Sequence, residues 1–219
     1  MKGIIFDLDG TMVDNMMVHH RAWQQKLRHM GLDLPLEEVM QKVHGVNEEI
    51  LERLFGDKYT PQERRQHSLE KEQEYRKIFK NDLKLIEGLP SFLENLKSSN
   101  IPLAIGSAAP PENVNFVLDN LDIRKYFDVV LHARDVSIGK PNPEIYLKVS
   151  DQLGFDPKDC IVFEDSPTGA EAASRAESPM VIVTTTHSEE EFSQFNNVLM
   201  FIENYENIEI DQLLNTQLQ

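Results

Sequence analysis

Asp7 and Asp9 stand two residues apart, directly after the short apolar run Lys2 to Phe6 and before Gly10. Side chains two apart in extended backbone leave the same face, so two carboxylates would share one small volume. An ordinary solvated strand end leading into an Asp-Gly turn would read the same way. Three other segments end similarly. Ser107 follows Ile101-Pro-Leu-Ala-Ile-Gly106, Lys140 sits in Gly139-Lys-Pro-Asn-Pro143, and Glu164-Asp165 closes Cys160-Ile-Val-Phe163. Each has a plain alternative: a turn cap for Ser107, a surface lysine for Lys140, and acids placed at a helix start for Glu164-Asp165. Together they would bring carboxylates, one ammonium and one hydroxyl to one edge of a sheet. Clustered carboxylates repel unless a cation lies among them, and an all-oxygen donor set suits hard Mg²⁺ better than zinc. A phosphoryl group would fit between that cation, the lysine and the hydroxyl.

The elements that must position these residues alternate along the chain. Apolar runs at Lys2 to Phe6, Ile101 to Ile105, Phe127 to Leu131, Cys160 to Phe163 and Met180 to Val183 are predicted strands. Amphipathic stretches at Leu89 to Ser98, Glu112 to Leu121, Pro143 to Leu153 and Gly169 to Ala176 are predicted helices. Repeated strand–helix units imply an α/β fold, a parallel sheet covered by helices on both faces. The tail adds a possible strand at Val198 to Ile202 and a short helix around Ile210 to Leu214.

Between the first strand and the rest, Met16 to about Phe79 has no strand candidate. Its apolar residues recur at helical steps (Ala22, Trp23, Leu27, Met30; Ile50, Leu51, Leu54, Phe55), and Gly31, Pro35, Gly45, Gly56 and Pro61 divide it into about four helices. The expected organisation is a core of residues 1–15 and 84–219 interrupted by an inserted helical domain, residues 16–83. In open parallel sheets, ligands gather beyond the carboxyl ends of the strands, where all the singled-out residues fall.

Composition narrows the class. The 219 residues carry 22 Lys+Arg against 37 Asp+Glu, a formal net charge of −15, which gives no general attraction to nucleic acid. A single cysteine cannot close an internal disulfide, and no stretch near the N-terminus is apolar for long enough to be a signal peptide or membrane span. A cytoplasmic monomer acting on a small molecule, with no nucleic-acid or membrane partner, is expected.

The motifs DLDGT, Ser107 after a strand, GKPNPEIY and EDSPTGAEAA, in that order, resemble those of the haloacid dehalogenase superfamily of phosphotransferases. The helical insert resembles its class I cap, and DGTMVDNMMVHHRAW resembles the sugar-phosphate branch that includes β-phosphoglucomutase. The resemblance implies a Rossmann-like core in which Asp7 attacks phosphorus and Asp9 serves as acid and base. It further implies Mg²⁺ held by Asp7, the Asp9 carbonyl and Asp165 with Glu164 nearby, and a cradle completed by Lys140 and Ser107. Thr11, Ala108, His19 and Lys71 fall at substrate-binding positions, the last two in the cap.

The same resemblance separates two activities. Glu48 stands where the mutase cap has an arginine for the second phosphate, and Ala109-Pro110-Pro111 replaces polar phosphate-binding side chains. Asn15 replaces a small hydroxyl residue in the hinge. A phosphatase of a small phosphorylated metabolite, a sugar phosphate, is therefore expected ahead of a β-phosphoglucomutase. A catalytically weak relative that only binds a phosphometabolite is the alternative of another class, and retention of Asp7, Asp9, Lys140 and Asp165 argues against it.

Overall fold

The computed structural model describes residues 2–206, 208, 209 and 213. It contains a six-stranded sheet, all neighbouring strands parallel, in the order β3-β2-β1-β4-β5-β6. The strands are β1 (Gly3–Phe6), β2 (Leu103–Gly106), β3 (Val129–Leu131), β4 (Cys160–Glu164), β5 (Met180–Val183) and β6 (Val198–Ile202). The predicted tail strand is thus real and forms the sheet edge. The predicted helix around Ile210 to Leu214 lies largely outside the described residues.

The helices that follow in this part of the chain are α5 (Leu89–Ser98), α6 (Pro111–Asn120), α7 (Glu144–Leu153) and α8 (Pro167–Arg175). Every residue of β1, β2, β4 and β5 is buried, because both sheet faces are covered. Alternation assigns the faces: Ile5 joins Ala104, Val162, Ile145, Tyr146 and Val149 in one core cluster. On the other face Phe6 meets Phe92, Phe127, Phe163 and Tyr205 with ring centroids 4.9–6.5 Å apart.

Three predicted strand starts differ from the sequence reading. β1 begins one residue later, at Gly3 rather than Lys2. β2 begins at Leu103 rather than Ile101, since Pro102 has no N–H and contributes only its carbonyl, which accepts from Ile4 N at 3.0 Å. β3 begins at Val129, because a 3₁₀ turn at Arg124–Tyr126 still governs Phe127.

The chain divides into two compact units, Met1–Asp14 with Lys84–Gln219, and Asn15–Leu83. The second is helical: α1 (Met16–His29), α2 (Leu36–Lys42), α3 (Asn47–Phe55) and α4 (Pro61–Phe79), with a 3₁₀ turn at Gly56–Lys58. Trp23, Leu27, Met30, Val39, Val43, Ile50 and Leu51 form its core. Thr60 starts α4 through a reciprocal cap: its hydroxyl accepts from Glu63 N, and the Glu63 carboxylate accepts from Thr60 N. Among the described residues, no helix is long and apolar enough to cross a membrane.

Candidate active site

The chain order reverses at β1: β2 and β3 lie on one side of it, β4 to β6 on the other. Phe6 pairs with Ile105 on β2 and with Phe163 on β4. One step beyond those pairs come Asp7, Gly106 and Glu164, and the next step brings Ser107 and Asp165. The register of three strands thus converges residues far apart in sequence on the crevice where parallel sheets bind ligands.

Asp7 continues the ladder, its N–H donating to Phe163 O at 3.0 Å, and its side chain is buried. Lys140 meets it there, donating from Nζ to Asp7 Oδ1 and to Glu164 Oε1, each at 2.6 Å. The loop that delivers Lys140 is braced by α7. Ser137 N and Ile138 N donate to the Glu144 carboxylate at 2.9–3.0 Å, and Glu144 N donates to Asn142 Oδ1 at 3.0 Å. The ammonium also sits 4.7 Å from the Tyr146 ring centroid.

Glu164 is fully engaged. Oε1 accepts from Lys140 and, at 2.8 Å, from the Tyr146 hydroxyl, while Oε2 accepts from Asp165 N, Ser166 N and Ser166 Oγ at 2.9–3.2 Å. Those five donors direct Glu164 toward Lys140 and the start of α8. Asp165 is differently placed: Thr11 Oγ1 donates to Oδ1 at 3.4 Å and Thr186 Oγ1 to Oδ2 at 2.5 Å.

Two glycines make room for the carboxylates. A Cβ on Gly10, whose φ is +76°, would fall 2.0 Å from Asp165 Oδ2, and one on Gly169 would fall 1.7 Å from Glu164 Oε1. Gly169 lies in the first turns of α8, where Ser166 caps the helix by accepting from Gly169 N at 3.1 Å.

Charge balance in the cluster is unfavourable without a cation. Asp7, Glu164 and Asp165 can place one oxygen each within 4.8 Å of one another, all buried, against the single ammonium of Lys140. Burial pushes Asp7 up to about 7, although the Lys140 charge opposes it and Glu164 and Asp9 add to it. Burial, then the Glu164 and Asp7 charges, hold Asp165 well above the carboxylate range. Burial works against ionisation of Glu164 as well, but Lys140, Tyr146 and the Ser166 N–H outweigh it and keep it low. Lys140 is held above its ordinary range because the Asp7 and Glu164 charges outweigh burial. The donors are hard oxygens with an excess of negative charge, a set that fits a divalent cation such as Mg²⁺.

The remaining residues singled out in the sequence are distributed as follows. Asp9 is half-buried on the tight turn closed by Gly10 N to Val13 O at 2.8 Å. Thr11 is buried, and the Tyr205 hydroxyl donates to its carbonyl at 2.8 Å. Ser107 is buried and its Oγ accepts from Ala109 N at 3.0 Å, while Ala108 is exposed. His19 and Lys71 belong to the helical unit and meet each other: Lys71 Nζ lies 2.8 Å from His19 Nδ1 and donates to Glu72 Oε1 at 2.9 Å. His19 stacks on Tyr75 with centroids 3.9 Å apart.

Sequence reasoning missed Tyr146, Gly169, Thr185 and Thr186. Thr185 and Thr186 follow β5, and the sheet order, which sets β5 beside β4 and β4 beside β1, is the signal that would have placed them beside Gly10 and Asp165.

Comparisons with known proteins agree with this architecture. The haloacid dehalogenase-like hydrolase family matches residues 1–177. A phosphorylated carbohydrates phosphatase of Thermotoga maritima is 34% identical over 182 residues, covering 80% of this chain and 82% of that protein. The crystal structure of a haloacid dehalogenase hydrolase, family IA, variant 3, from Entamoeba histolytica superposes with a TM-score of 0.91 at 26% identity, covering 100% of both chains. The β-phosphoglucomutase structure from Clostridium difficile gives a TM-score of 0.83 at 25% identity, covering 99% of this chain and 97% of that one. Four motifs at the ends of parallel strands, a helical insert after the first of them, and a family match over most of the chain lead to one conclusion: this chain is a haloacid dehalogenase-like hydrolase of the β-phosphoglucomutase-like branch.

Proposed function

We propose that the chain is a Mg²⁺-dependent phosphatase that hydrolyses a small phosphorylated metabolite, a sugar phosphate, through an aspartyl-phosphate on Asp7. The observation that carries this reading is Lys140 bridging Asp7 and Glu164 at 2.6 Å each, beside Asp165, at the switch point of a parallel sheet. In this reading the sheet unit is the catalytic core and the helical unit is its cap.

Asp7 and Asp165 would hold the cation together with the Asp9 carbonyl; when bound, it neutralises charge on the phosphoryl oxygens. The chain's own residues do the rest. A carboxylate oxygen of Asp7 attacks phosphorus as the bond to the substrate oxygen breaks, and Asp9 gives that leaving oxygen its proton. Asp9, now a carboxylate, takes a proton from water; the water oxygen bonds to phosphorus and the bond to Asp7 breaks, releasing phosphate. Lys140 holds Asp7 in place and offsets charge on the transferring group, with Glu164 and Tyr146 holding Lys140. Ser107, at the end of β2, supplies a hydroxyl to the same edge.

Hydrolysis is favoured over phosphoryl return to a second sugar hydroxyl. A mutase binds a bisphosphate in two orientations and needs a second anion site. In the helical unit, Glu48 stands in the first turn of α3, and Lys71 is already paired with Glu72. The loop after Ser107 presents Ala108, Ala109, Pro110 and Pro111, with no side-chain donors.

A panel of phosphorylated sugars tests this, with free phosphate measured beside a coupled assay for glucose 6-phosphate formed from β-glucose 1-phosphate. Phosphate release that outpaces isomerisation supports the phosphatase. Isomerisation faster by about a hundredfold, near 3 kcal/mol of transition-state preference, would make it a mutase.

A further inference from the structure

Two hydroxyls reach the site from the loop after β5, a segment that the phosphoryl chemistry above does not use. Thr186 Oγ1 donates to Asp165 Oδ2 at 2.5 Å and lies 3.2 Å from the Asp165 carbonyl. Thr185 Oγ1 donates to the carbonyl oxygen of Gly10. The preceding Thr184 turns elsewhere, its hydroxyl donating to Ile202 O at 3.2 Å on the edge strand.

A carboxylate offers about four lone-pair directions. Thr11 and Thr186 take one on each oxygen of Asp165, so each oxygen keeps one direction for a cation. The carboxylate is also wedged against the β1 loop, since the Cβ position of Gly10 lies only 2.0 Å from Oδ2. Thr186 therefore presses Asp165 from one side while Thr185 ties down the Gly10 backbone on the other. One dipeptide holds together the loops after β1 and β4, and those loops carry the carboxylates of Asp7 and Asp165.

We infer that Thr185 and Thr186 form a clamp that positions Asp165 against the β1 loop and thereby sets the affinity of the Asp7–Asp165 pair for a divalent cation. The inference rests on the metal reading given above. Partners of metal ligands typically change cation affinity by about 10–100-fold when removed, because the ligand loses its orientation.

The test is direct cation binding: Mn²⁺ is titrated into metal-free full-length protein and the heat is measured. Thr186→Val should weaken Mn²⁺ binding by about tenfold or more, and Thr186→Ser, which keeps the hydroxyl, should restore it to within about twofold. Thr185→Val should weaken it as well, and Thr184→Val should leave it unchanged. A cap that merely stabilised the loop would lower the melting temperature of all three valine variants without this pattern in Mn²⁺ affinity. Wild-type affinity in Thr186→Val overturns the clamp; should that variant fail to fold, wild-type affinity in Thr185→Val does so. Wild-type protein that takes up no Mn²⁺ overturns the metal reading and the clamp with it, whereas a binding wild type with unaltered valine variants overturns the clamp alone.

Discussion

The Tyr146 hydroxyl donates at 2.8 Å to Glu164 Oε1, the same oxygen that accepts from Lys140, so the tyrosine helps to place the ammonium facing Asp7. Tyr146 is buried on α7, and its ring also lies under the ammonium.

Tyr146→Phe keeps the ring and removes only the hydroxyl. A buried carboxylate then loses a charge-assisted bond, which costs about 1.5–3 kcal/mol. The expected result is a lower melting temperature and a kcat reduced by about tenfold, with KM less affected, because the loss falls on the groups that meet the transition state. Steady-state kinetics check this, and a kcat equal to wild type would show that the hydroxyl does not serve Lys140.

Gly169→Ala should be damaging where helix propensity alone says otherwise. In an exposed helix interior, alanine for glycine gains about 1 kcal/mol. Here the new methyl would stand 1.7 Å from Glu164 Oε1, so Glu164 must swing away and release Lys140. Loss of most activity together with a lowered melting temperature is expected, and a stabilised, active variant would contradict the packing described.

Much of this site was legible from strand ends alone. Asp7, Glu164 and Asp165 each follow or close an apolar run, Lys140 sits in a proline-stiffened loop beyond another, and a parallel sheet brings such ends to one edge. The edge strand β6 was readable because Val198 to Ile202 is apolar throughout. The positioning residues were not readable, since their meaning depends on lateral strand order. Thr186 touches Asp165 because β5 pairs with β4, and Tyr146 reaches Glu164 because α7 packs across β1, β2 and β3. The sequence also could not show that Glu164 accepts from Lys140, the Tyr146 hydroxyl, and the Asp165 and Ser166 groups that follow it.

Removal of divalent cations should abolish phosphate release, and Mg²⁺ should restore it. Ca²⁺ should restore it poorly, because its larger and looser coordination misplaces Asp7 relative to phosphorus. The observable is phosphate released after chelation and replenishment, and full activity in cation-free buffer would contradict the role given to Asp7 and Asp165.

The role of Asp7 as nucleophile is tested most directly by the rate of phosphate release by Asp7→Asn, with its fold checked by circular dichroism and its sequence by mass spectrometry to exclude deamidation. The expected rate is lower by at least about three orders of magnitude, some 4 kcal/mol of lost transition-state stabilisation, in a protein that still folds. A folded, unreverted Asp7→Asn protein that keeps most of the wild-type rate would contradict that role.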